Sequence, residues 1–226
     1  MNPLTKLFQS YLIESIPILD KTITREQYTP LNLSAENSDL VGLKVTEPDV
    51  CQSYINAELK RNDAEVAYGG YLENRSLYSD KAEFSRVGES KRTIHLGVDF
   101  WTKAGTTVLV PLKGKIHSFK NNDRRGDYGP TIILVHEIAG FRFHTLYGHL
   151  SLESLQNLKV GKSFEAGTVL GTLGNKEVNG NYAPHLHFQI IIDMNNWLGD
   201  YPGVCAKEDV AFYSENCPDP NLLLNV

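Results

Sequence analysis

From Tyr68-Gly69-Gly70-Tyr71 onward the chain consists of short apolar runs broken by glycine, and this punctuation limits the folds open to it more than any other feature. Thr106 to Pro111 and Gly114 to Phe119 each read as a strand bounded by turn formers. Thr131 to His136 and Phe141 to Tyr147 read as two more, joined around Ala139-Gly140 as a hairpin. Gly167 to Gly174 and His185 to Ile192 continue the pattern, while Asn121 to Gly129 reads as a polar loop. Many short strands at close spacing predict a mainly β chain, folded as an antiparallel β-sandwich or barrel.

Residues up to about Ala67 have a different texture, helical and irregular. The expected division is therefore a helical N-terminal region, residues 1–67, and a β-rich domain, residues 68–226. Leu4, Leu7, Phe8, Tyr11 and Leu12 follow helical spacing up to Pro17. A second helix has Thr46 as its expected cap, Pro48 in the first turn and Asp49 completing a capping-box-like pattern. Val50, Tyr54, Ile55 and Leu59 form its apolar stripe, which predicts core packing. The region is read as a structural cap on the β domain, with packing across a groove as the other arrangement.

At 226 residues the chain can hold one sizeable domain and an appendage. A net charge of -5 without a basic stripe gives no electrostatic case for nucleic acid. Ile190-Ile191-Ile192, followed by Asp193, is far too short to span a membrane. The N-terminus lacks a charged n-region, an unbroken apolar h-region and a small-residue cleavage site. Cys51, Cys205 and Cys217, an odd number without a C-x-x-C pair, read as reduced thiols; pairing of Cys205 with Cys217 is the alternative in an oxidising compartment. These features predict a cytoplasmic location.

Histidines supply the chemistry. They stand in His95-Leu96-Gly97-Val98-Asp99, in Leu146-Tyr147-Gly148-His149-Leu150 and in His185-Leu186-His187. Two imidazoles and a carboxylate are the usual protein ligands of a catalytic zinc, and the remaining imidazoles suit proton transfer. In a strand His185 and His187 share a face and Leu186 takes the other. His95 and Asp99, four apart, share a face if their segment is extended. His117, His136 and His144 occupy no such motif and read as ordinary polar residues of strands.

His95 to Phe100, Tyr147 to Ser151 and Pro184 to Phe188, in this order, resemble the zinc metallopeptidases of the M23, or lysostaphin-like, family, with its H-x-x-x-D and H-x-H motifs. Gly161 to Gly171 resembles that family's glycine-punctuated strand segment, so the likeness runs over roughly residues 90 to 192. The resemblance implies an antiparallel β-sandwich or barrel of the duplicated hybrid motif type, with a groove over the metal. It implies zinc held by His95, Asp99 and His187, and His149 and His185 as catalytic groups. It further implies a metalloendopeptidase acting on peptide bonds, in peptidoglycan or its fragments.

Three other readings use some of the same residues. A phosphotransfer carrier domain of this fold type would use one histidine as phosphate acceptor, which gains nothing from an adjacent carboxylate. A facial-triad iron site has H-x-D spacing and leaves His149 and His185 without a role. A non-catalytic zinc-binding or activator module would have no reason to keep both companion histidines. Around the motifs, Tyr71, Glu73, Arg75 and Tyr78 precede the first one and offer a tyrosine for an oxyanion. The loop from Asn121 to Tyr128 offers a groove wall, and Trp197 and Tyr201 either contact substrate or cover the sheet edge.

Overall fold

The computed structural model describes Phe8 and residues 17–80 and 90–224. The first expected helix, apart from Phe8, lies outside the described residues. Strands run over β1 (Tyr28–Pro30), β2 (Val66–Gly69), β3 (Arg92–His95), β4 (Val98–Trp101), β5 (Thr107–Leu109), β6 (Gly114–Asn122), β7 (Gly129–Ile138), β8 (Phe141–Gly148), β9 (Ser163–Phe164), β10 (Val169–Thr172), β11 (His185–Ile191) and β12 (Val204–Ala206). The α-helices are α1 (Pro48–Arg61), longer than any of the strands, and the shorter α2 (Val210–Asn216) and α3 (Asn221–Leu224). Eight strands form one sheet in the order β1-β2-β4-β11-β8-β7-β6-β9, and β10-β5 and β12-β3 form two small ones. The expected mainly β, antiparallel architecture is what the chain adopts; among the described residues only β1 against β2 is parallel.

Strand alternation divides the large sheet chemically. On β11, Leu186, Phe188 and Ile190 point into the main core, joined there by Val98 and Phe100 of β4 and by Phe143 and Tyr147 of β8. Each such side chain, fully buried, contributes about 1.5–3 kcal/mol. The intervening residues His185, His187 and Gln189 therefore face the other way, as does Asp99 on β4. They are buried there too, on the face covered by Tyr128, Tyr201, Cys205 and Cys217. The apolar core thus fixes the register that presents the polar residues.

The hairpin between β7 and β8 turns at Ala139 (φ 50°) and Gly140 (φ 78°), the two successive positive φ values of a type I′ turn. The polar loop expected from Asn121 is shorter than its sequence suggests, because β6 continues to Asn122. The Asn122 amide explains this: Nδ2 donates to Thr131 Oγ1 (3.0 Å) and to the Gly199 carbonyl (2.9 Å), so a polar residue completes the strand end. Helix α1 covers the expected stretch, but its cap is Glu47 rather than Thr46, with Pro48 opening the first turn. Cys51 and Ile55 are its buried residues, with Tyr54 and Leu59 packed beside them. All three cysteines are buried free thiols. Among the described residues no helix is long and apolar enough to cross a membrane.

His136 belongs to the core face. Its ring stacks on Phe143 (5.1 Å between centroids), Nδ1–H donates to the Lys113 carbonyl (2.9 Å), and Nε2 lies 2.7 Å from Thr145 Oγ1. Burial pushes its pKa down to about 4. The folded protein therefore holds this ring neutral, while the unfolded chain protonates it near 6.5. Its contribution is fully present above about 6.5 and is lost as pH falls towards 4, a loss on the order of 3 kcal/mol for the whole interval. His136→Gln is expected to flatten the decline in stability between pH 7 and pH 5. Urea midpoints of variant and wild type at both pH values measure it, and parallel declines would exclude His136 as the cause.

Candidate metal centre

Asp99 and His187 face each other in register across β4 and β11. His95 arrives differently. The extended segment expected from His95 to Asp99 is interrupted at Leu96-Gly97, so His95 ends β3, in a different sheet from β4. The Leu96 N–H bonds the Gly203 carbonyl instead (2.9 Å), and His95 enters from the side.

The three donor atoms nevertheless converge. His95 Nε2 is 2.9 Å from His187 Nδ1, His187 Nδ1 is 3.1 Å from Asp99 Oδ1, and His95 Nε2 is 3.3 Å from Asp99 Oδ1. Ligands held about 2.05 Å from a tetrahedral zinc stand about 3.3 Å apart, so the triangle has nearly the size such an ion requires. All three residues are buried, and together they form a group able to hold a metal ion.

Hydrogen bonding on the outer sides fixes the protons. His95 Nδ1–H donates to the Gly70 carbonyl (2.9 Å). His187 Nε2–H donates to Gln189 Oε1 (2.9 Å), and the Gln189 amide is held in that orientation by donating to the Pro202 carbonyl and Cys217 Sγ. In the neutral rings the inward nitrogens then carry lone pairs, aimed at a carboxylate oxygen. Three acceptors this close without a proton between them repel one another unless a cation joins them, so the donor set fits a metal. Burial, with Arg75 second, pushes His95 down to about 4. Burial works to raise the Asp99 carboxyl, but His95 and Arg75 outweigh it and hold it well below the usual carboxylate range.

His149 and His185 stand beside the triangle. His185 Nδ1–H donates to the Ala183 carbonyl (2.7 Å), and its Nε2 is 3.9 Å from Asp99 Oδ1. His149 has φ 62°, a left-handed conformation costly for a side chain of its kind. Three hydrogen bonds hold it there: its N–H to the Tyr128 carbonyl, its carbonyl from the Gly174 N–H, and Nδ1–H to the Asn179 carbonyl. The two rings lie 4.1 Å apart. Burial lowers both pKa values, and for His149 the neighbouring His185 and His187 lower it further. All five residues line one cleft of about 440 Å³.

The other histidines lie outside the site: His136 faces the core, and His117 pairs edge-to-face with His144. Four residues of the site have contacts that sequence reasoning did not foresee. Arg75 binds the outer oxygen of Asp99, and Gln189 fixes the His187 tautomer. Tyr128 sets its ring between His149 and His187, at 5.6 and 5.1 Å, and Tyr182 packs edge-on to His149 and His185. Only Gln189 carried a usable signal, standing two residues beyond His187 on the same face of a strand. Trp197 and Tyr201 line the cleft, as does the segment from Asn121 to Tyr128 apart from Arg125. Among the described residues, none before Leu77 does so.

Residues 93–197 match the model of Peptidase family M23. An uncharacterized metalloprotease of Haemophilus influenzae is 33% identical over 99 residues, and lysostaphin of Staphylococcus staphylolyticus is 36% identical over 100 residues. Each match takes in 44% of this chain and 19% of the relative, so the chain spans about a fifth of either protein's length. The catalytic domain of the antimicrobial peptidase lysostaphin from Staphylococcus simulans is 27% identical in sequence. That match covers 65% of this chain and 88% of the domain, with a TM-score of 0.38. The stretch that matches the Peptidase family M23 model, residues 93–197, carries His95, Asp99, His149, His185 and His187, so the similarity takes in the whole triangle and both histidines beside it.

Proposed function

We propose that this chain is a zinc metalloendopeptidase that cleaves peptide bonds in peptidoglycan or its fragments. The observation that carries the reading is the triangle of His95 Nε2, Asp99 Oδ1 and His187 Nδ1, three lone-pair donors of which the two imidazoles hold their protons on the outside. His95, Asp99 and His187 would hold the zinc, which when bound would lower the pKa of a water towards neutrality and polarise a carbonyl.

The protein's own groups handle the protons. Nδ1 of His149 and of His185 is committed to a backbone carbonyl, which leaves Nε2 as the exchanging nitrogen of each ring. Burial keeps both neutral at pH 7, ready to accept a proton and pass it to the leaving amine. Two imidazoles 4.1 Å apart resist double protonation, so one ring at a time carries the charge. The protonated ring then serves as donor to the oxygen that becomes negative. Burial keeps the Tyr128 phenol protonated, a further donor beside the same histidines. The match to the Peptidase family M23 model and the 36% identity to lysostaphin support a peptidoglycan-type substrate.

Metal analysis joined to hydrolysis of glycine-rich and D-amino-acid peptides tests the proposal. One zinc per chain is expected, with turnover lost on chelation and restored by zinc. Activity that survives complete removal of metal would sink it. A protein that refuses zinc and is instead phosphorylated on a histidine would favour the carrier reading.

A further inference from the structure

We propose that Arg75 is a positioning residue for the metal site, holding Asp99 so that only one carboxylate oxygen is available as a ligand. The inference rests on the zinc reading above. Arg75 is among the largest fully buried side chains of the protein, 1% exposed, and does not line the cleft. Its Nη1 donates to Asp99 Oδ2, the oxygen turned away from the histidines, and its guanidinium lies over the Trp101 ring (5.3 Å). With Oδ2 occupied, Oδ1 alone faces His95 and His187.

Arg75 is itself held. Nε donates to Glu73 Oε2, and Glu73 Oε1 accepts the Leu33 N–H (3.0 Å), which anchors the pair to the N-terminal region. The same short segment grips His95. The Glu73 carbonyl accepts the His95 N–H (3.0 Å), the Leu72 N–H bonds the His95 carbonyl (2.9 Å), and the Gly70 carbonyl fixes the ring. Gly70 is there for space: a Cβ would overlap Arg75 Nη2, and the backbone has φ +102°. Residues 70–75 therefore bind two ligands of the triangle at once, and Arg75 is their only charged contact with the carboxylate among the described residues.

A buried arginine between two carboxylates also serves simple charge balance, and the test separates the two roles. Arg75→Lys keeps the charge but cannot fork between Glu73 and Asp99. The double variant Glu73→Gln, Arg75→Met removes both buried charges together, so it leaves a smaller imbalance than Arg75→Met alone. Zinc affinity measured by chelator competition is expected to fall about 10- to 100-fold in both. In the cobalt-substituted proteins the visible band should weaken as Oδ2 becomes free to ligate and the coordination number rises. Turnover should fall through kcat while KM stays near the wild-type value. Folded variants with wild-type zinc affinity and a superimposable cobalt spectrum would overturn the role of Arg75. Failure of the wild type itself to bind zinc or cobalt would instead overturn the metal reading beneath it.

Discussion

His187→Ala is expected to leave a folded protein that no longer binds stoichiometric zinc and has lost on the order of 10³-fold or more in kcat/KM. His149→Ala is expected to keep its zinc and lose about 10²- to 10⁴-fold in turnover, the usual range for a general acid–base group. The contrast follows from position. The ring of His187 is 4.8 Å from that of His95 and its Nδ1 closes the triangle, whereas the ring of His149 is 6.3 Å from that of His187. Removing His187 leaves two donors and an unpaired Gln189 oxygen; removing His149 leaves the triangle whole. Metal analysis and steady-state kinetics on the two variants side by side decide the matter. Equal loss of zinc from both would make His149 a fourth ligand and the centre a closed, structural one.

The shared face of His185 and His187 was legible because β strands write their faces into sequence. His185, Leu186 and His187 alternate as spacing predicts, and Leu186 and Phe188 enter the core that holds the strand. The H-x-x-x-D motif was legible for a different reason than its spacing suggested, since its two ends belong to separate strands. The role of Arg75 was not legible. It meets Asp99 across 24 residues of chain, and an arginine in a polar stretch reads as solvated until the fold buries it. Tyr128 likewise closes a segment that reads as a surface loop, yet a Cβ on either Gly148 or Gly203 would collide with its ring or hydroxyl. The N-terminal region was legible only as helix. Strand β1 is three residues long and ends in Pro30, without alternation, and its parallel pairing with β2 comes from the return of the chain through α1.

The largest effect expected outside the charged groups is that of Gly97→Ala, the central glycine of the first motif. No unusual φ requires glycine here; the requirement is room. A methyl at this position would stand 2.6 Å from the Phe188 carbonyl oxygen and 2.7 and 2.8 Å from Cε1 and Nε2 of His187. The carbonyl belongs to β11, whose ladder to β4 and β8 resists movement, so the imidazole has to yield. Turning it breaks the bond from Nε2 to Gln189 and swings Nδ1 out of the triangle. A misplacement of about 1 Å at a reacting centre costs on the order of 10²-fold, and that is the loss expected in kcat/KM. Zinc affinity should fall in parallel, while the urea midpoint of the metal-free protein moves far less, because the methyl displaces a ligand more readily than the sheet. Unchanged zinc affinity in the Gly97→Ala protein would mean that β3 and β4 separate instead, and that His187 is held less firmly by its strand than by the metal.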